Sequence, residues 1–287
     1  MCAQIPAAFR SVTATGLIQT FTACVFSFAI YAEAGPIVFS DADGDIGDTV
    51  IDFQAALGDP NNVNAAGPLP IGRRQINWDA GIVPFDMPPD FFNNPAFPPT
   101  RGAVFSSDAG SEFRVSNDGL DNEFDTFNPD NPNQFSTFSA PRLFAPIGTT
   151  VFDVSFFVPA SGTAAAVSGF GAIFTDVDIF GSTFMEFFDA DDRLLATETV
   201  ETSPGGLSFL GVVFDSALPQ LARVSITAGN VDIGSGAADN PDSGVDLVAI
   251  DDLLYGEPQA LRVDAPAGAA LLAAGFALIA TRRRPRL

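Results

Sequence analysis

Residues 182–200 read STFMEFFDADDRLLATETV, two runs rich in aromatic, aliphatic and β-branched side chains on either side of Asp189-Ala190-Asp191-Asp192. Short acidic residues between such runs predict a hairpin, because their carboxylates bond to nearby backbone and they tolerate a tight turn. The same rhythm extends in both directions. GAVFSS, EFRVS, QFSTFS, VFDVSFFV and SGFGAIFTDVD precede the hairpin from Gly102 onward, and GLSFLGVVFD, ARVSITAG and DLVAIDDLLYG follow it. Asp-Gly, Asn-Pro and Ser-Pro-Gly-Gly supply the breaks. In ARVSITA, Val224 and Ile226 share one face while Arg223, Ser225 and Thr227 share the other, the two-residue period of a half-buried strand. GLSFLGVVF is apolar on both faces, as a strand inside a sheet must be. Residues 102–258 are therefore expected to form a mainly β domain, an antiparallel β-sandwich.

Upstream, residues 35–101 are rich in Pro, Asn, Gly and Asp, which predicts an irregular arm with one short helix. The helix is Val50–Leu57, where Val50, Phe53 and Leu57 recur at spacings of three and four, Gly58 stands at the C-terminal cap and Asp48 is placed to cap the start. MPPDFFNNPAFPPT holds too much proline for a regular element, and Phe91, Phe92 and Phe97 in it are expected to anchor the arm on the sandwich.

Composition narrows the chemistry. The 287 residues include no His, and all 13 basic residues are Arg, which removes the usual general bases and amine nucleophiles. Both cysteines, Cys2 and Cys24, lie near the N-terminus, so a chain cut after Ala34 keeps neither and rests on no disulfide or thiolate site. Between Gly35 and Asp264 there are eight arginines against 34 acids, a charge of −26. Such a surface repels nucleic acid and attracts divalent cations.

The two ends point to export. Residues 1–34 carry one positive charge, Arg10, then an apolar run, and end in Ala32-Glu33-Ala34, the small residues a signal peptidase reads. Residues 259–287 contain a short motif at 263–268, an apolar segment 265–281 and the cluster Arg282, Arg283, Arg284 and Arg286. As a helix the apolar segment rises about 25 Å, near the lower limit for crossing a bilayer. The arginines then stay on the cytoplasmic side, and the acidic domain faces outward.

The order of Pro-containing motif, apolar helix and terminal arginines resembles the PEP-CTERM class of bacterial sorting signals, in its VPLPA-CTERM-like variant. Val263, Pro266, Ala267 and Gly268 match that variant; Asp264 and Ala265 depart from it. The resemblance implies an exosortase-type protease as a partner besides signal peptidase. It also implies a membrane-anchored intermediate, and release to the surface or exterior of a Gram-negative bacterium. The stretch from GFGAIFTDVD to AIDDLLYGEP is similar to jelly-roll modules of secreted and carbohydrate-binding proteins. Gly72–Pro258 also resembles a group of exported proteins with PEP-CTERM tails, which implies no activity.

Candidate site residues are mostly acids. Asp41, Asp43 and Asp45 alternate like the start of a calcium loop, although Ile46 stands where such a loop needs Gly. Asp246, Asp251 and Asp252 flank the last long run. The jelly-roll resemblance implies a calcium ligand there, and because neighbours on a strand point to opposite faces, only one of Asp251 and Asp252 is expected to face inward. Asp176 and Asp178 share a strand face and offer a cation or sugar site. Trp78 is the single Trp, read as a packing anchor with sugar stacking as the alternative. No catalytic residue emerges. The expectation is an exported surface or matrix protein, non-catalytic, with calcium as its only cofactor. The alternatives are a module that binds extracellular polysaccharide and a carboxylate-pair glycosidase.

Overall fold

The computed structural model describes residues 35–42, 45–94, 100–108, 111–116, 134–214 and 219–261. The signal-peptide and sorting-tail readings, with Ala32, Ala34, Val263, Pro266 and the terminal arginines, lie outside the described residues, as do Asp43 and Phe97. No helix among the described residues is long and apolar enough to cross a membrane.

The strands in chain order are β1 (Pro36–Asp41), β2 (Arg73–Ile76), β3 (Ala103–Ser107), β4 (Glu112–Val115), β5 (Phe144–Ile147), β6 (Val151–Phe156), β7 (Ala165–Ala166), β8 (Gly169–Val177), β9 (Phe184–Phe188), β10 (Leu194–Thr199), β11 (Ser203–Phe214), β12 (Arg223–Thr227), β13 (Ala249–Gly256) and β14 (Gln259–Ala260). One helix, α1 (Gly47–Leu57), precedes β2. Seven strands form one antiparallel sheet in the order β1-β11-β8-β13-β5-β4, with β2 also on β13, and five form a second in the order β10-β9-β12-β6-β3. The antiparallel β-sandwich read from the sequence is thus the observed architecture. Its hairpin at 189–192 joins β9 to β10, with Asp192 at φ 58°.

Alternation builds the core. In β12 and β9, Val224, Ile226, Met185 and Phe187 point inward and are fully buried. They meet Phe170, Ala172 and Phe174 of β8 and Val212 of β11 from the other sheet in one apolar cluster. Each large side chain so buried contributes about 1.5–3 kcal/mol. The far face of the seven-stranded sheet is covered as well. There α1 lays Val50, Phe53 and Leu57 on Ile173, Phe209 and Leu254. Phe53 seats on Gly171 and Gly211, which pair in register, and a Cβ on either would come within 2.7 Å of its ring. Two glycines in strand interiors are thus the socket for the helix.

Three expectations change. The 35–101 stretch is not simply an irregular arm, because β1 pairs along β11 and β2 along β13. Asp48 sits in the first turn of α1 and does not cap it; Ile46 is the N-cap, and Asp45 Oδ1 accepts from Gly47 N at 3.3 Å. QFSTFS forms no strand. Its backbone donors go to side chains instead, Ser136 N to Thr175 Oγ1 at 2.9 Å and the Phe138 and Ser139 amides to Asp251 Oδ2.

Candidate functional site

Two groups of acids are gathered by the fold. The first lies where β8 runs out. The register between β11 and β8 shifts between Ser203 and Leu207, so a bulge of β11 stands opposite Asp176. Asp176 adopts φ 65°, a left-handed conformation that Asp tolerates better than most residues. Its carboxylate accepts from Gln134 Nε2 at 2.6 Å and from Gly205 N at 2.7 Å. Asp178 follows just past the strand. Asp239 arrives from the loop before β13, with Oδ1 accepting from Leu247 N at 2.8 Å. One carboxylate oxygen from each of Asp176, Asp178 and Asp239 lies within 4.8 Å of the others, a donor set that can hold a metal ion.

Behind the three stands Asp246, fully buried, whose carboxylate accepts from the backbone of Asp178 at 3.1 Å and Ile179 at 3.2 Å and from the Ser182 hydroxyl. It pins the loop that carries Asp178. The electrostatics are unfavourable for three ionised carboxylates side by side. Asp178 is pushed up to about 7 by burial, then by the charges of Asp176, Asp239 and Asp246. Burial also leads the upward shifts of Asp176 and Asp239. Asp178 Oδ1 is shut off from solvent and has no hydrogen-bond partner among the described residues. Oxygen-only and anionic, the cluster suits a hard divalent cation.

The second group is Asp251 and Asp252, both fully buried on β13. The expectation that only one faces inward fails because the pairing of β13 with β8 shifts between Ile250 and Leu253. A bulge there sets two residues of β13 against one of β8, and the simple alternation of faces is lost. Ser139 Oγ lies 3.1 Å from Asp251 Oδ1 and 2.6 Å from Asp252 Oδ1. Gln75 Nε2 donates to Asp252 and the Phe138 and Ser139 amides to Asp251. Protein donors thus reach both carboxylates, and Asp246 stands apart with the first cluster.

One serine hydroxyl donates to only one carboxylate at a time, and two buried carboxylates side by side resist ionising together. Burial, and then the charge of Asp252, push Asp251 up to about 9. Unfolded, its carboxyl ionises near 3.8. The folded state therefore binds the extra proton across that window, and the stability this group contributes is complete below about pH 4 and lost as the pH climbs toward 9. Asp251→Asn keeps the shape and donates permanently. It is expected to flatten the fall in melting temperature between pH 5 and 9 and to gain on the order of 2 kcal/mol at the alkaline end. A melting profile parallel to that of the wild type is the contrary result.

The remaining sequence candidates are placed simply. Trp78 is 1 % exposed, in the core and out of reach of a sugar at the surface. Asp41 accepts from Thr49 Oγ1 at 2.6 Å and lies beside the start of α1. Asp239 was missed because nothing in GAADNPDSG marks one acid of a loop as the partner of a strand end some sixty residues earlier.

No family model and no curated protein sequence matches the chain. Among solved structures, the enzymatically active domain of tailspike protein 4 of bacteriophage CBA120 is similar at 11% identity and a TM-score of 0.29, over 58% of this chain and 20% of that one. The chain thus spans about a fifth of that domain's length. Two variants of a family 29 carbohydrate-binding module are similar at 12% and 10% identity, each at a TM-score of 0.22, over 54% and 50% of this chain and 98% and 90% of the module. Likenesses this loose assign neither activity nor ligand.

Proposed function

We propose that this chain is an exported, non-catalytic protein of the cell surface or extracellular matrix whose β-sandwich is locked by a calcium ion held by Asp176, Asp178 and Asp239. The observation that carries the reading is the convergence of one carboxylate oxygen from each of three acids within 4.8 Å, beside a solvent-free Asp178 Oδ1 that has no hydrogen-bond partner among the described residues. Export is supported by the signal-like N-terminus and the sorting-type tail with its four arginines. The absence of His and Lys from the sequence supports a non-catalytic role. Calcium is favoured over softer metals by the all-oxygen donors, and its millimolar abundance outside cells suits a site of modest affinity.

Melting the purified protein with and without calcium tests this. At tenfold excess over the dissociation constant the ion adds about 1.4 kcal/mol, a rise of about 3–6 °C for a domain of this size. Asp178→Asn is expected to act in two directions. Without metal it removes a repelled charge and raises the melting temperature at pH 8; with metal it loses most of the calcium response. Equal calcium responses in the variant and the wild type count against the site.

A further inference from the structure

The two outer faces of the sandwich differ. The seven-stranded sheet is covered by α1, whereas side chains on the outer face of the five-stranded sheet stay half-exposed or exposed. Register places five of them in one row across all five strands: Ser106 pairs with Asp153, Asp153 with Ser225, Ser225 with Glu186, and Glu186 with Thr197. Every member is polar. With strands about 4.8 Å apart, the row is a track about 19 Å long.

Aromatic rings border the track. Phe184 and Phe188 stand two residues before and after Glu186 on the same face of β9, about 13 Å apart along the strand. Arg223 lies over the Phe188 ring at 4.0 Å and is already held by Asp153 at 3.2 Å and Asp192 at 3.1 Å. Glu186 has no ion-pair or hydrogen-bond partner among the described residues. A groove of about 390 Å³ lies over Asp153, Glu186, Phe188 and Ser225. It shares Ser106, Ser107 and Asp108 with a second groove of about 800 Å³ on the far side of β3.

We propose that this face binds a linear polysaccharide carrying free, protonated amino groups. Three features select that class. The track offers acceptors at one-strand spacing, carboxylates among them, so the ligand must bring hydroxyl and ammonium donors. Phe188 at the groove and Phe184 farther along β9 add apolar surface beside the track for the C–H faces of sugar rings. The one arginine of the face is engaged, and the chain carries a net charge of −22, so uronate, sulfate or phosphate polymers are repelled and a cationic glycan is drawn in. The track belongs to the sheet opposite β8 and is independent of the calcium proposal.

Binding of the full-length chain to a glucosamine hexamer, its N-acetylated counterpart and a polygalacturonate oligomer, in moderate salt with and without a calcium chelator, tests the assignment. The glucosamine hexamer is expected to bind, the uronate not, and chelator to change nothing. Glu186→Gln, which keeps the side-chain shape, and Phe188→Ala are each expected to weaken binding about tenfold. Asp52→Asn, the same charge change on the opposite side of the molecule, is expected to leave it intact. Equal losses in Asp52→Asn and Glu186→Gln, undiminished binding in Glu186→Gln, preference for the N-acetylated hexamer, or loss of binding with chelator each overturns the proposal. Loss with chelator alone would move the ligand to the calcium site. A failed calcium response with intact hexamer binding leaves this face standing.

Discussion

Glu257→Ala is expected to cost about 3–5 kcal/mol of folding stability, the usual penalty for stranding one partner of a buried ion pair. Glu257 directly follows β13 and meets Arg74 of β2 in a two-pronged contact, Nε to Oε2 at 2.7 Å and Nη2 to Oε1 at 2.8 Å, with side chains 0% and 2% exposed. Asn62 Nδ2 and the Leu69 amide donate to the same carboxylate at 2.9 and 3.0 Å. The four contacts tie β2 and the segment before it to the end of the last long strand. Alanine leaves the guanidinium in the interior with no counter-charge and two further donors unanswered. The cost is chiefly that of the uncompensated charge, so the paired change Arg74→Met with Glu257→Leu is expected to recover most of it. Denaturant titration of the single and double variants reads both. A single-variant loss under 1 kcal/mol contradicts the argument.

Trp78→Ala is expected to cost about as much, about 3–5 kcal/mol, through a different mechanism. The indole stacks on Phe144 at 4.2 Å and 6°, and meets Phe92 and Phe105 at 6.0 and 5.9 Å. Its N–H donates to the carbonyl of Asp251. Truncation leaves a cavity among three aromatic rings and frees a buried carbonyl at the bulge that carries the acid pair. Phe at this position is expected to restore about half the loss, since it refills much of the volume without the donor. If Trp78→Ala melts like the wild type, the aromatic cluster is not the centre of the core. Because the variant tests packing, lost binding in it says nothing of a sugar.

These two positions show what was legible in the sequence. Periodicity and turn residues within a run were readable, and they located α1, the inward face of β12 and the hairpin at 189–192 from local sequence alone. The partners of Arg74 and Trp78 were not, because Glu257 and Asp251 lie more than 170 residues downstream. β2 escaped notice because RRQI carries two charges whose burial is provided by the rest of the fold. For the site, Asp176 and Asp178 stood out by spacing. Asp239 and the inward turn of both Asp251 and Asp252 depend on a loop and a bulge, which leave no period in the chain. QFSTFS shows the reverse case: a run with strand composition whose amides are drawn off by the carboxylate of Asp251 and the hydroxyl of Thr175.

Calcium affinity and proton release are coupled in this account. An ion seated among Asp176, Asp178 and Asp239 needs all three ionised, yet Asp178 holds its proton to about 7 and burial shifts Asp176 and Asp239 upward as well. Isothermal titration of calcium into metal-stripped protein at pH 7, repeated in buffers of different ionisation enthalpy, reads both events together. The account predicts one ion per chain with protons released at pH 7, release that shrinks as the pH rises above the range where Asp178 titrates, and the ion lost in Asp178→Asn. Binding with no buffer dependence, or the same isotherm from Asp178→Asn, contradicts it.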